Sequence, residues 1–208
     1  HLEDWARAQG RAFLRLDYSG HGQSSGDFLE GCIGDWANDA AAILSLTLGP
    51  QVIVGSSMGG WIALLVARTQ PERVAGLALI AAAPDFTDAI WAGLGEDQRA
   101  EMMEHGRIAQ PSDYSAEPYV ITRRLIEDGR LQRVMMAPLP LPFPVRLLQG
   151  TADTDVPPAT ALALLAHASG PDIRLTLVKG ADHRFSAPAC LDLITDAIGE
   201  ILKGPPDA

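Results

Sequence analysis

Short apolar runs alternate with longer stretches of helical periodicity along this chain. Residues 12–17 (AFLRLD), 51–55 (QVIVG), 74–82 (VAGLALIAA), 144–149 (PVRLLQ) and 173–178 (IRLTLV) are predicted strands. Between them, residues 33–47 place Trp36, Ala40, Ile43 and Leu44 on one helical face. Residues 58–68 read as a helix, residues 159–168 form another opened by Pro157-Pro158, and Leu191, Ile194, Ile198 and Leu202 make one stripe of a last helix.

Strands alternating with helices over short links predict an α/β fold, a mostly parallel sheet with helices on both faces. One stretch breaks the rhythm. Residues 84–142 lie between two strands and exceed any ordinary connection. They contain two helical stretches, at 97–106 and 117–129, and then a proline-dense run, APLPLPFP. We expect a core from residues 1–83 and 143–208 and a cap inserted from 84 to 142. Residues 204–208 are expected to fray.

Composition narrows the classes. In 208 residues, 16 Lys and Arg stand against 26 Asp and Glu, giving a net charge of −10. That balance disfavours nucleic acid and anionic membrane surfaces, which both recruit basic patches. Cys32 and Cys190, the only two cysteines, are far apart and lack a CxxC, which argues against a disulfide scaffold and a thiolate zinc site. No apolar run approaches the roughly 20 residues of a membrane-spanning helix.

The chemistry centres on Gly55-Ser56-Ser57-Met58-Gly59, a G-x-S-x-G pattern between a predicted strand and a predicted helix. A tight strand-to-helix turn would hold Ser57 clear of the sheet at a helix N-terminus. The backbone N–H of Met58 would then face a developing oxyanion. A phosphate loop is the competing reading, but it would want a lysine and a longer glycine loop. A serine nucleophile needs a base, and the base needs an orienting acid. Among five histidines, His183 in KGADHRF follows the last predicted strand, on the sheet edge where sites form. His21, in YSGHG, is the weaker candidate; His1, His105 and His167 are at a terminus, in the inserted segment and late in a helix. For the acid, QGTADTDVP offers Asp153 and Asp155, which spacing alone does not separate.

Together these segments resemble the α/β-hydrolase family. LRLDYSGHGQS is similar to its strand-four loop, GSSMGG to its nucleophile elbow, QGTADTDVP to its acid loop and GADHRF to its histidine loop, in the family's order. The resemblance implies Asp153 as the acid, because the family's H-G-x-x-D-x-x-V-P pattern lands there. Gln149 stands where that pattern has histidine, a departure at a non-catalytic position. GSSMGGWIALLVA, MEHGRIAQPSDYS and KGADHRF most resemble the branch of acyl-glucuronide esterases and acyl-protein thioesterases with its bacterial relatives. Against the family pattern, residues 1–10 already read as the first helix. The expectation is therefore that strands and a glycine-containing loop bearing a second oxyanion donor lie upstream of His1.

The implied enzyme is a serine esterase or thioesterase working through Ser57, His183 and Asp153, with no metal or organic cofactor. Trp91, Met102 and Met103, with Phe86, Tyr114 and Tyr119, are candidates to line an acyl pocket, against the plainer reading that they pack the cap. Asp17 and Asp35 are expected to be structural. Expected substrates are small esters or thioesters or an acylated protein; nucleic acid and a membrane span are not expected. The expected compartment is the cytoplasm, or the mitochondrial matrix in a eukaryote. Three alternatives stay open: the same residues acting on lactone, peptide or carbon–carbon bonds or in perhydrolysis, a non-catalytic ligand-binding relative, and an interaction scaffold.

Overall fold

The structure, a computed structural model, describes residues 1–110 and 118–203. In chain order the elements are α1 (Leu2–Ala8), α2 (Ile33–Ser45), β1 (Gln51–Ser56), α3 (Met58–Thr69), β2 (Val74–Ile80), α4 (Phe86–Gly93), α5 (Glu96–His105), β3 (Arg107–Gln110), β4 (Tyr119–Thr122), α6 (Arg123–Leu131), β5 (Leu139–Pro140), β6 (Val145–Gly150), α7 (Pro158–His167), β7 (Ala168–Ser169), β8 (Ile173–Val178) and α8 (Pro188–Lys203).

The main sheet has the order β1-β2-β6-β8, and every pairing in it is parallel. Parallel strands need crossovers, and the helices that supply them cover both faces. Alternation along β2 divides the core in two. Leu77 and Leu79 join Trp36 of α2 and Trp61 and Leu64 of α3 on one face. Ala78 and Ile80 join Ile194, Ile198 and Ile201 of α8 on the other, where Leu2 and Trp5 of α1 also pack. Residues 61–67 of α3 are buried throughout, which is why that helix is apolar all round rather than striped.

Two sequence expectations need correction. Residues 12–17 form no strand; they run mostly exposed, with Phe13 at 42% and Leu14 at 50%. Apolar alternation describes a strand's faces, but a strand also needs a neighbour to pair with, which no local pattern supplies. The helix expected over 117–129 starts only at Arg123. Tyr119–Thr122 instead pairs antiparallel with Arg107–Gln110, as its aromatic and β-branched residues favour. The Thr122 hydroxyl then caps α6, accepting the Leu125 N–H at 3.1 Å.

The segment between β2 and β6 shares the sheet's core. Leu94, Met102, Ile108, Ile121, Leu125, Ile126 and Val134 belong to the same buried cluster as Trp61 and Leu77. Asp85 ties its two ends together, its carboxylate accepting the N–H groups of Val134 (2.9 Å) and Met135 (3.0 Å). In the proline-dense run, Leu139, Leu141 and Phe143 turn inward.

Candidate active site

β1 passes into α3 through Ser57, whose backbone sits at φ 52°, ψ −119°. A non-glycine residue there carries about 1–3 kcal/mol of strain and persists only where its surroundings over-determine it. Here the restraint comes from the end of β2. The Ser57 N–H donates to the Ile80 carbonyl at 2.9 Å, and the Ser57 carbonyl accepts the Ala83 N–H at 3.1 Å and the Gly60 N–H at 2.9 Å. A Cβ on Gly55 would run into the Gly59 carbonyl, so the chain can close this tightly only with glycine there. Gly59 differs: a Cβ there would meet only the Tyr18 hydroxyl, at 3.8 Å. Met58 is the first residue of α3, so its N–H belongs to the unpaired helix start where negative charge is favoured.

Two further loops leave the same edge of the sheet. The β6–α7 loop carries Asp153 and Asp155; the β8–α8 loop carries His183. Backbone bonds stitch them together: Thr151 N–H to the Val178 carbonyl at 2.9 Å and Ala152 N–H to the Ala181 carbonyl at 3.0 Å. The Thr151 hydroxyl also accepts the Gly180 N–H at 2.9 Å. A Cβ on Gly150 would run into the Ala181 carbonyl, so this approach too depends on glycine.

The result is a hydrogen bond of 2.9 Å between His183 Nδ1 and Asp153 Oδ2. Asp153 is buried, and all its acceptor directions are used. Oδ2 also accepts from Gln149 Nε2 at 2.9 Å, while Oδ1 accepts the N–H groups of Asp155 (2.9 Å) and Val156 (2.8 Å). Burial pushes its pKa up, but the bonds from Val156, His183 and Gln149 outweigh that and hold the carboxyl below its ordinary value. Asp155 is exposed and orients Asp153 through its backbone. No hydrogen bond joins the Ser57 hydroxyl to the imidazole among the described residues.

Asp153, Asp155 and His183 offer ligand atoms within 4.8 Å of one another. The chemistry of this set does not suit a metal, since the four bonds to the Asp153 carboxylate leave no lone pair for an ion.

The remaining sequence candidates are placed as follows. His21 turns Nδ1 toward the Ser19 carbonyl at 3.2 Å, and its ring packs edge-on to Trp36 at 4.9 Å and Phe28 at 5.2 Å. His167 Nε2 faces the Val134 and Ala137 carbonyls. Asp17 accepts the Gln23 N–H, and Asp35 bonds Cys32 and Arg124. Of the proposed pocket residues, Met102 is fully buried in the core and presents no surface to a substrate. Long apolar side chains at helical spacing more often serve packing. Met103 is 56% exposed. Trp91 is half-buried, with Arg130 at 4.9 Å and Arg99 at 5.4 Å from its ring centre. Phe86 packs edge-on against Trp61, Tyr119 is exposed beside Phe28, and Tyr114 lies outside the described residues. A groove of about 560 Å³ between α2 and α6 is lined by polar residues such as Asp35, Arg124 and Asp128, and by none of Ser57, Asp153 and His183. The interactions that sequence reasoning missed are those of Gln149 and Val156 with Asp153; the V-P ending of the acid loop was the available signal for the second.

A parallel sheet with helices on both faces, a strained serine turn and an Asp-supported histidine on one strand edge define the class: the chain belongs to the α/β-hydrolase family of serine hydrolases. A family model, Hydrolase_4 (serine aminopeptidase, S33), matches residues 1–116. The mitochondrial palmitoyl-protein thioesterase ABHD10 of Rattus norvegicus is 34% identical over 203 residues, covering 97% of this chain and 68% of that protein. Among solved structures, a protein from Agrobacterium vitis S4 superposes with a TM-score of 0.93 at 44% identity, covering 96% of this chain and 80% of its own. Alpha/beta hydrolase domain-containing protein 10 from mouse gives a TM-score of 0.89 at 34% identity, covering 97% and 82%.

Proposed function

We propose that the chain hydrolyses carboxylic esters or thioesters of a hydrophobic acyl group through an acyl-enzyme on Ser57. The enzyme is a hydrolase of the esterase or thioesterase type. The observation that carries the reading is the 2.9 Å bond between Asp153 and His183 on the sheet edge that also presents the strained Ser57 turn.

In this mechanism His183 approaches the Ser57 hydroxyl and takes its proton as the oxygen attacks the carbonyl. Asp153 holds the imidazole with Nδ1 protonated and stabilises the imidazolium. The Met58 N–H donates to the oxyanion; one such donor is worth about 10²–10³ in rate. His183 returns the proton to the leaving alcohol or thiol. Water, deprotonated in turn by His183, releases the acid. The chemistry runs on side chains and backbone alone.

The acyl preference follows the relatives named palmitoyl-protein thioesterase and the aromatic side chains carried by residues 84–142, such as Phe86 and Trp91, which in this reading form a cap that shapes the acyl site. The same relatives are mitochondrial by name, which supports a matrix enzyme if the source is a eukaryote. The test is a profile of hydrolysis rates over acyl chain length with oxygen and sulfur leaving groups. Rates that rise with chain length support the reading. Equal rates for acetyl and long-chain esters contradict it.

A further inference from the structure

We infer that Gln149 is a positioning residue for the histidine base, aiming Asp153 at His183 by sharing one carboxylate oxygen with it. The inference rests on the mechanism proposed above.

Gln149 is the fifth residue of β6 and is fully buried. Its Nε2 faces three acceptors: Asp153 Oδ2 at 2.9 Å, the Val156 carbonyl at 3.0 Å and the Gly150 carbonyl at 3.2 Å. That environment fixes the amide orientation, because a flipped amide would set an oxygen against a carboxylate and two carbonyls. The opposite atom, Oε1, is buried with no partner among the described residues. A buried amide oxygen without a partner costs about 1–3 kcal/mol. An apolar side chain at this site would avoid that cost. The three-way contact of Nε2 is what the glutamine supplies.

The contact has a directional consequence. Asp153 Oδ1 is held by two backbone N–H groups of its own loop. Those bonds fix one oxygen and leave the carboxylate free to swing about it. Gln149 reaches from the strand, outside the loop, and fixes the second oxygen, the one that meets His183 Nδ1. It also draws charge from Oδ2, so it moderates how strongly Asp153 stabilises the imidazolium. Because an amide does not titrate, this support is the same at every pH, which a histidine at 149 would not guarantee.

The Asp155 carboxylate lies within 4.8 Å of the pair's ligand atoms. Asp182 and Arg184 flank His183 in sequence, and the Asp182 carboxylate accepts the Phe185 N–H. Cys190 of α8 is a buried thiol that feels Asp182. Among the described residues, Gln149 and His183 are the two donors to Asp153 Oδ2.

The experiment compares Gln149→Met, Gln149→Asn and Gln149→His with the parent chain. It reads kcat, KM, the acid limb of kcat/KM and the downfield proton resonance of His183 Nδ1. The expected result for Gln149→Met is a fall in kcat of about tenfold with KM changed less than twofold, an acid limb moved to higher pH, and a shifted or broadened Nδ1 resonance. Gln149→Asn, which withdraws the amide by one methylene, should move all readouts the same way and stands in if the methionine variant does not fold. Gln149→His restores an N–H donor and should recover kcat to within about threefold. An unchanged acid limb and resonance in a folded Met or Asn variant overturns the inference, as does a His variant as slow as Met. The resonance is also read in Ser57→Ala. A Ser57→Ala protein that keeps its esterase rate refutes the mechanism, while the effect of Gln149 on the Asp153–His183 bond is still decided by the resonance.

Discussion

The nucleophile turn and the acid–histidine pair sit on the same sheet edge but are held by different physics. Ser57 is fixed by backbone: a strained φ, hydrogen bonds from its own N–H to Ile80 and to its carbonyl from Gly60, Trp61 and Ala83, and a steric need for glycine at 55. Asp153 and His183 are fixed by a mixed network: two backbone N–H groups of the acid loop and the side chains of Gln149 and His183 fill the carboxylate, and Gln149 stands on β6, the strand that leads into that loop. A backbone device tolerates few residues at few positions. A hydrogen-bond network can be built from many residue types, provided every partner is met.

The largest expected effects separate chemistry from scaffold. Ser57→Ala should lower the esterase rate by at least about 10⁴ while leaving the circular dichroism spectrum intact, because alanine removes only the hydroxyl. Ser57→Gly should be as inactive, yet gain about 1 kcal/mol in urea unfolding by relieving the positive φ. If glycine gives no gain over alanine, the strain ascribed to this turn is wrong. Asp153→Asn should cost about 10³–10⁴ in kcat by disturbing the imidazole tautomer. Asp155→Asn, whose native contribution to Asp153 is a backbone bond, should cost less than about threefold. Comparable losses at the two positions would remove the distinction between them.

That contrast also explains what could be read without coordinates. The elbow was legible as a motif because its glycine and serine are nearly the only residues the turn admits, and β1 and β6 were legible as short, mostly apolar runs and β8 as an alternating one, each bounded by turns. The choice between Asp153 and Asp155 was not legible from spacing, because both are acidic residues on one loop. Only the bond map separates them. Gln149 reads only as a departure at a non-catalytic position, because its role lies in what it touches, not in its type. Residues 12–17 carry a strand pattern with no partner among the described residues to realise it. Residues 119–122 were absorbed into a helix because their partner, residues 107–110, lies across a chain reversal. Met102 failed as a pocket residue because a methionine on a helix does not reveal which way it faces.

Smaller effects sharpen the steric half of the comparison. Gly55→Ala should destabilise by about 1–3 kcal/mol through overpacking against the Gly59 carbonyl. Gly59→Ala, with its nearest obstacle at 3.8 Å, should fold normally and can gain a few tenths of a kcal/mol as a helix residue. Thermal melts of the two variants check this. A larger loss for Gly59→Ala than for Gly55→Ala would reverse the account of the turn.

The smallest effect is electrostatic. Asp172 is bonded by Arg146 and Arg174, whose guanidinium groups hold its carboxyl below the usual range. The bonds to Asp153 hold that carboxyl down as well, despite its burial. A folded pKa below the unfolded value gives stability that is present above about pH 4 and lost as pH falls through the folded value. Urea midpoints should therefore lose the share carried by these two groups only below about pH 4, and Asp172→Asn should flatten that loss. An equal slope in the variant would assign the acid sensitivity elsewhere.

The central claim, an acyl-enzyme on Ser57, is tested most directly by labelling the parent chain with a fluorophosphonate and mapping the adduct by peptide mass spectrometry. The account predicts one adduct, on Ser57, formed at a rate that falls sharply in Asp153→Asn and not in Asp155→Asn. An adduct on another residue, or no adduct in a folded chain, would contradict it.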